Sequence, residues 1–131
     1  LTPPAIASGD DDGLLTVGEI AQLKLDADWV VLSACNTAAG DGSPGAEGLS
    51  GLARAFFFAG SRALLVSQWE VLSVAAVQLT TGTVQHLASD PTIGRAEALR
   101  LSMLALLADD QPDYLAHPIF WAPFELVGEG G

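Results

Sequence analysis

The chain has 131 residues, enough for one domain with a real core and too few for two. Half of them are apolar, which excludes a disordered chain, and 16 acidic against 5 basic side chains leave a formal net charge of −11. That balance excludes a nucleic-acid partner, which needs Lys and Arg on phosphates, and disfavours an anionic membrane surface. It suits a basic partner, or simply solubility.

No apolar run reaches the roughly 18 residues of a membrane helix, and no signal-peptide pattern opens the chain. Cys35 is the single cysteine, so no internal disulfide forms, and a reducing cytoplasm is the expected setting. Leu1 rather than Met stands first, so a processed chain or a piece of a larger one is expected.

Residues 1–13 read as a loop, Pro-rich at Thr2-Pro3-Pro4 and acidic at Asp10-Asp11-Asp12-Gly13. The acids lack the spacing and distal Glu of a calcium loop, so no metal is expected there. The core is expected over 14–128 and a short tail over 129–131. Thr16-Val17-Gly18-Glu19 carries a capping-box pattern and predicts a short helix to about Leu23. Asp26-Ala27-Asp28 predicts a turn, and Trp29 to Ala34 a buried strand that delivers Cys35 at its end. A Gly-rich loop, Gly40 to Gly48, follows. It has no Lys and no Gly-Lys-Ser/Thr ending, so it is no phosphate loop.

Leu49, Leu52, Ala53 and Phe56 recur at helical spacing, and Gly60 is the expected stop. Arg62 to Ser67 predicts a second buried strand. Strand, helix and strand in this order predict a βαβ unit with parallel strands. Ser73 is the expected cap of a helix from Val74 to Ala88, weakened by Thr80-Thr81-Gly82-Thr83-Val84. Asp90-Pro91 breaks the chain. Ile93 to Ala108 predicts a helix apolar nearly all round in its second half, hence well buried. His117-Pro118 closes a loop, and Ile119 to Val127 predicts the last strand. The fold class is α/β.

Sites of open α/β sheets form at the carboxyl ends of the strands, which selects Cys35 and the segment Gln68-Trp69-Glu70. Cys35 is either a nucleophile or an inert small hydrophobe. A free thiol is only about 3% ionised at neutral pH, so a nucleophile wants a base within reach. His86 reads as a surface or half-buried helix residue, and His117 as a loop residue. Neither has a local context that brings it to Cys35. Trp69 and Glu70 either floor and charge a pocket, or pack on a sheet edge and face solvent.

Val31-Leu32-Ser33-Ala34-Cys35-Asn36-Thr37 resembles the cysteine-bearing motif of the CHAT domain. Glu47-Gly48-Leu49-Ser50-Gly51-Leu52-Ala53-Arg54-Ala55-Phe56, Ser67-Gln68-Trp69-Glu70-Val71 and the closing run His117 to Gly128 are similar to that family in the same order. Gly13-Leu14-Leu15-Thr16 with Glu19-Ile20 matches its lead-in. The resemblance covers nearly the whole chain.

It implies a caspase-like three-layer sandwich, with a mostly parallel sheet flanked by helices and its N-terminal strands absent from this chain. It implies cysteine endopeptidase activity with Cys35 as nucleophile, a protein or peptide substrate, no cofactor, and an upstream repeat domain of the tetratricopeptide kind, as in many bacterial relatives. The family's base is a His-Gly upstream of the lead-in. This chain starts too late to carry it, so the piece alone is expected to be inactive. His117 matches a non-catalytic position, where a structural role is expected. Gln68, Trp69 and Glu70 are expected to line the pocket for the residue before the cut. Acids often follow the family's Trp by three or four residues; Leu72 and Ser73 stand there here, so Glu70 is left to select a basic side chain. The competing readings are a CHAT-like interaction module without catalysis, an unrelated small thiol hydrolase using Cys35 with His86 or His117, and a plain Rossmann-like domain with an inert Cys35.

Overall fold

The computed structural model describes residues 15–32, 49–108 and 111–131. The predicted opening loop, the end of the first strand with Cys35, and the Gly-rich loop lie outside the described residues.

Helix α1 (Val17–Gln22) begins as its sequence predicts. The Thr16 hydroxyl accepts from the Glu19 N–H at 3.3 Å, and the Glu19 carboxylate accepts from the Thr16 N–H at 2.7 Å. Two donors that a first turn leaves unpaired are thereby satisfied. The chain then turns at Asp26, whose φ is +43°, and enters β1 (Val30–Val31).

Helix α2 (Leu49–Phe58) ends at Gly60, φ +100°. There the Ser61 N–H reaches the Phe56 carbonyl at 3.0 Å and the Gly60 N–H reaches Phe57 at 3.1 Å. This paired ending, with glycine in the left-handed region, returns the chain toward the sheet. Every residue of β2 (Ala63–Ser67) is buried.

β2 is the middle strand. It pairs in parallel with β1, Val30 opposite Leu64 and Val31 opposite Leu65, and antiparallel with β3 (Phe124–Gly128), Ser67 opposite Phe124. The alternation of side chains along β2 sorts the core. Leu64 and Val66 pack with Ile20, Ala53, Ala55 and Phe56 of α1 and α2. Leu65 packs on the other face with Ala75, Leu79, Leu99, Leu106, Leu115 and Phe124. The described residues thus form a mixed α/β fold, a three-stranded sheet with helices on both faces.

Helix α3 (Ser73–Ser89) runs unbroken through the Thr-Gly-Thr stretch. The hydroxyls of Thr80, Thr81 and Thr83 donate to the carbonyls of Ala76, Val77 and Leu79 at 2.8, 2.6 and 2.7 Å. Each hydroxyl is satisfied inside the helix instead of competing with it. Gly82 lets helix α4 (Arg95–Ala105) approach, since a Cβ there would stand 3.0 Å from the Ser102 hydroxyl. The last residues close over α4: the Ala96 N–H donates to the Gly130 carbonyl at 2.9 Å, and the Glu129 N–H to the Arg62 carbonyl at 3.0 Å.

Four expectations are corrected. Ser73 is the first residue of α3 rather than its cap, because extended backbone ends at Leu72. The strand expected from Trp29 is only partly buried where described, with Val31 38% exposed, because β1 is an edge of the sheet among the described residues. The second half of α4 and its exit are not fully covered: Leu104 and Leu107 stand exposed, because α3 packs on one side only. The last strand starts at Phe124, not Ile119. Pro118 opens a 3-10 turn over Pro118–Phe120, and its carbonyl collects the N–H groups of both Trp121 and Ala122. Proline's fixed φ suits that first position better than a ladder.

Candidate functional site

Parallel pairing brings the carboxyl ends of β1 and β2 to one end of the sheet. The Leu32 N–H donates to the Leu65 carbonyl at 2.8 Å, so the ladder is intact up to the last described residue of this strand. Cys35, three residues further on, lies outside the described residues.

At the end of β2 the segment Gln68-Trp69-Glu70 is fixed by three contacts. The Gln68 N–H donates to the Pro123 carbonyl at 2.9 Å, extending the pairing with β3. Its side-chain Nε2 donates to Glu125 Oε2 at 2.7 Å. The Trp69 indole N–H donates to the Ile119 carbonyl at 3.0 Å, which holds the ring with 41% of its surface open to solvent. Glu70 is exposed and, with Val71, Leu72, Ile119 and Phe120, lines a recess of about 290 Å³. An acid beside an apolar wall suits a long cationic side chain, whose stem packs while its head pairs.

The fold thus pins Gln68 and Trp69 at the end of β2, with Glu70 following them. Sequence reasoning missed Glu125. The signal was present as an acid inside the last apolar run, but a strand taken to start at Ile119 left its register against β2 open. The observed register sets Glu125 opposite Val66, next to the end of β2.

The two histidines fall at opposite ends. His86 lies in the last turns of α3, about 20 Å along the helix from Ser73. Its neighbour Leu87 lines a recess with Asp28 and Gly131, at the start of β1 and beyond the end of β3. That is the far end of the sheet from Gln68. His117 stands near Trp69, but its Nδ1 accepts the Ile119 N–H at 3.2 Å and caps the following turn. Among the described residues no group of three or more His, Cys, Asp or Glu converges as a metal site, and no helix is long and apolar enough to cross a membrane.

The family model for the CHAT domain matches residues 4–129. Tetratricopeptide repeat protein 28 of Mus musculus is 31% identical over 119 residues, covering 88% of this chain and 4% of that protein. The chain thus spans a small fraction of this relative's length. No solved structure matches the chain.

Proposed function

The chain belongs to the CHAT domain family, and on that premise we propose that it is the C-terminal part of a cysteine endopeptidase whose nucleophile is Cys35. The observation that carries this reading is the parallel register of β1 and β2. Cys35 is three positions beyond Leu32, a reach of at most about 11 Å, and Leu32 already pairs beside the end of β2. On this reading the nucleophile works at the same end of the sheet as Gln68, Trp69 and Glu70. The complete domain is a caspase-like sandwich in which further strands extend this sheet. The helices on both faces of β2 support that arrangement.

An imidazole from outside these residues takes the Cys35 proton. The thiolate attacks the scissile carbonyl carbon, and the resulting oxyanion is held by the Cys35 N–H and a glycine N–H beside the histidine. Collapse breaks the C–N bond, and the leaving amine takes its proton from the imidazolium. Water then hydrolyses the thioester, releasing the new carboxyl end and restoring the thiol. Glu70 selects Arg or Lys before the cut through a charge-assisted hydrogen bond. The substrate is a cytoplasmic protein or peptide, and a tetratricopeptide repeat array stands upstream, as the relative's name suggests.

The test is a cleavage assay of the full-length protein on peptides ending in Arg, Lys or Asp before the reporter bond. Arg and Lys peptides are expected to be cut, and Cys35→Ala to abolish the activity. Equal rates for all three peptides would remove Glu70 from the pocket; cleavage that survives Cys35→Ala would remove the nucleophile.

A further inference from the structure

Helix α3 buries one side and leaves the other to solvent. Ala75, Leu79 and Thr83 are buried. On the opposite side Val74, Val77, Thr81, Val84 and Ala88 are all exposed. Their spacing alternates three and four, as the a and d positions of a heptad do. They form one seam along a helix of 17 residues, about 25 Å long. Such a seam is the surface that packs against another helix.

Two features fit this seam for burial. Thr81, its polar member, already donates its hydroxyl to the Val77 carbonyl at 2.6 Å, so covering it strands no donor. A hollow of about 360 Å³ opens between Thr80, Thr81, Val84 and Gln85, two seam residues and one flank of each. Four residues so placed make the hole into which a side chain of a facing helix inserts.

Charge and symmetry identify that helix. The 131 residues carry a net charge of −11, yet α3 holds no Asp, Glu, Lys or Arg. No flanking charge selects an acidic or a basic partner, and here an acidic chain meets its like without acids on the seam. The seam also reads the same in both directions. Val74 and Val77 stand five and two positions before Leu79, and Thr81 and Val84 stand two and five after it. A two-fold contact requires this self-complementarity.

We propose that two copies of this chain pair through α3, antiparallel about a two-fold axis at Leu79. Val74 then meets Val84 of the second copy, Val77 meets its Thr81, and the two valines cover the hollow. On one flank the Gln78 side chains of the two copies approach each other. Gln78 Oε1 is buried without a hydrogen-bond partner among the described residues, and the facing amide supplies a donor when the side chain turns outward. Because α3 begins three residues after Glu70, antiparallel pairing sets the two Glu70 recesses at opposite ends of the dimer.

The test uses the full-length protein carrying both Val74→Cys and Val84→Cys. Ten residues of helix, about 15 Å, keep the two thiols from bridging within one chain. Under mild oxidation the dominant link between chains is expected to join position 74 of one copy to position 84 of the other, as read by peptide mapping. Each single variant is expected to give little dimer. Adding Val77→Glu is expected to lower the 74-to-84 yield about tenfold at unchanged melting temperature, because the position is exposed and the charge enters the seam. Phe58→Ser, on the exposed patch of α2, is expected to leave the yield unchanged. Links of 74 to 74 or 84 to 84, a yield indifferent to Val77→Glu, or a yield lost in Phe58→Ser overturns the proposal. So does sedimentation of the full-length protein as a monomer, which would leave the seam to a different helix.

Discussion

Gly60 shows how a single residue steers the chain toward the site. At φ +100° a Cβ would stand 3.1 Å from the Asp26 nitrogen. Gly60→Ala is expected to cost about 1–3 kcal/mol, read as a lower urea midpoint at unchanged slope. His117 is the residue on which the peptidase reading and its rival part company. As a turn cap it predicts that His117→Ala loses about 1 kcal/mol, a fall of several degrees in melting temperature, while kcat/KM of the full-length protein stays within about twofold. Loss of activity without loss of stability would make His117 the base. Two surface acids contribute to the acid limb of stability. Asp90 is held below the usual carboxylate range by the Thr92 hydroxyl and N–H, and Glu97 by the Arg100 guanidinium. A carboxyl whose folded value is depressed contributes fully above its unfolded value, near 4, and loses that contribution as pH falls through the folded value. Denaturation midpoints are expected to drop below about pH 4, and less so in the Asp90→Asn, Glu97→Gln double variant.

The elements that frame the site were legible in the sequence wherever a local signal and burial agree. Thr16 with Glu19 announced α1, Gly60 ended α2, and the unbroken apolar run at Ala63–Ser67 is the fully buried middle strand. The parallel pairing of β1 and β2 followed from connection length. The reading went astray where tertiary packing sets the outcome. Proline at 118 turned expected strand into a 3-10 turn, which hid the register of β3 and with it Glu125. The Thr-rich centre of α3 looked weak because propensity does not see hydroxyls bonded within the helix or the close approach that Gly82 allows. That approach makes the α3–α4 layer a sensitive element. Leu79 is completely buried between them and the sheet, so Leu79→Ala is expected to lose about 2–5 kcal/mol in chemical denaturation. The buried pair Thr83 and Ser102 is tolerated because each hydroxyl donates to a carbonyl one turn back, Thr83 to Leu79 at 2.7 Å and Ser102 to Ala98 at 2.9 Å.

At the scale of the molecule, the sheet has three strands among the described residues, with β1 and β3 at its edges. Apolar side chains remain exposed at the end of α2 and just before α1, with Phe58 82% exposed and Leu15 61% exposed. Open edges and such patches favour association. These 131 residues expressed alone are therefore expected to self-associate; sedimentation as one monomeric species would contradict this. The central claim concerns one sulfur beside one pocket. Its most direct test is labelling of the full-length protein with peptidyl acyloxymethyl ketones ending in Arg or Asp, in which the attacking thiolate displaces the carboxylate leaving group, followed by peptide mapping. The account predicts a thioether on Cys35 with the Arg probe and little with the Asp probe. Absence of any adduct at Cys35 with the Arg probe, in protein that folds and is otherwise intact, would contradict it.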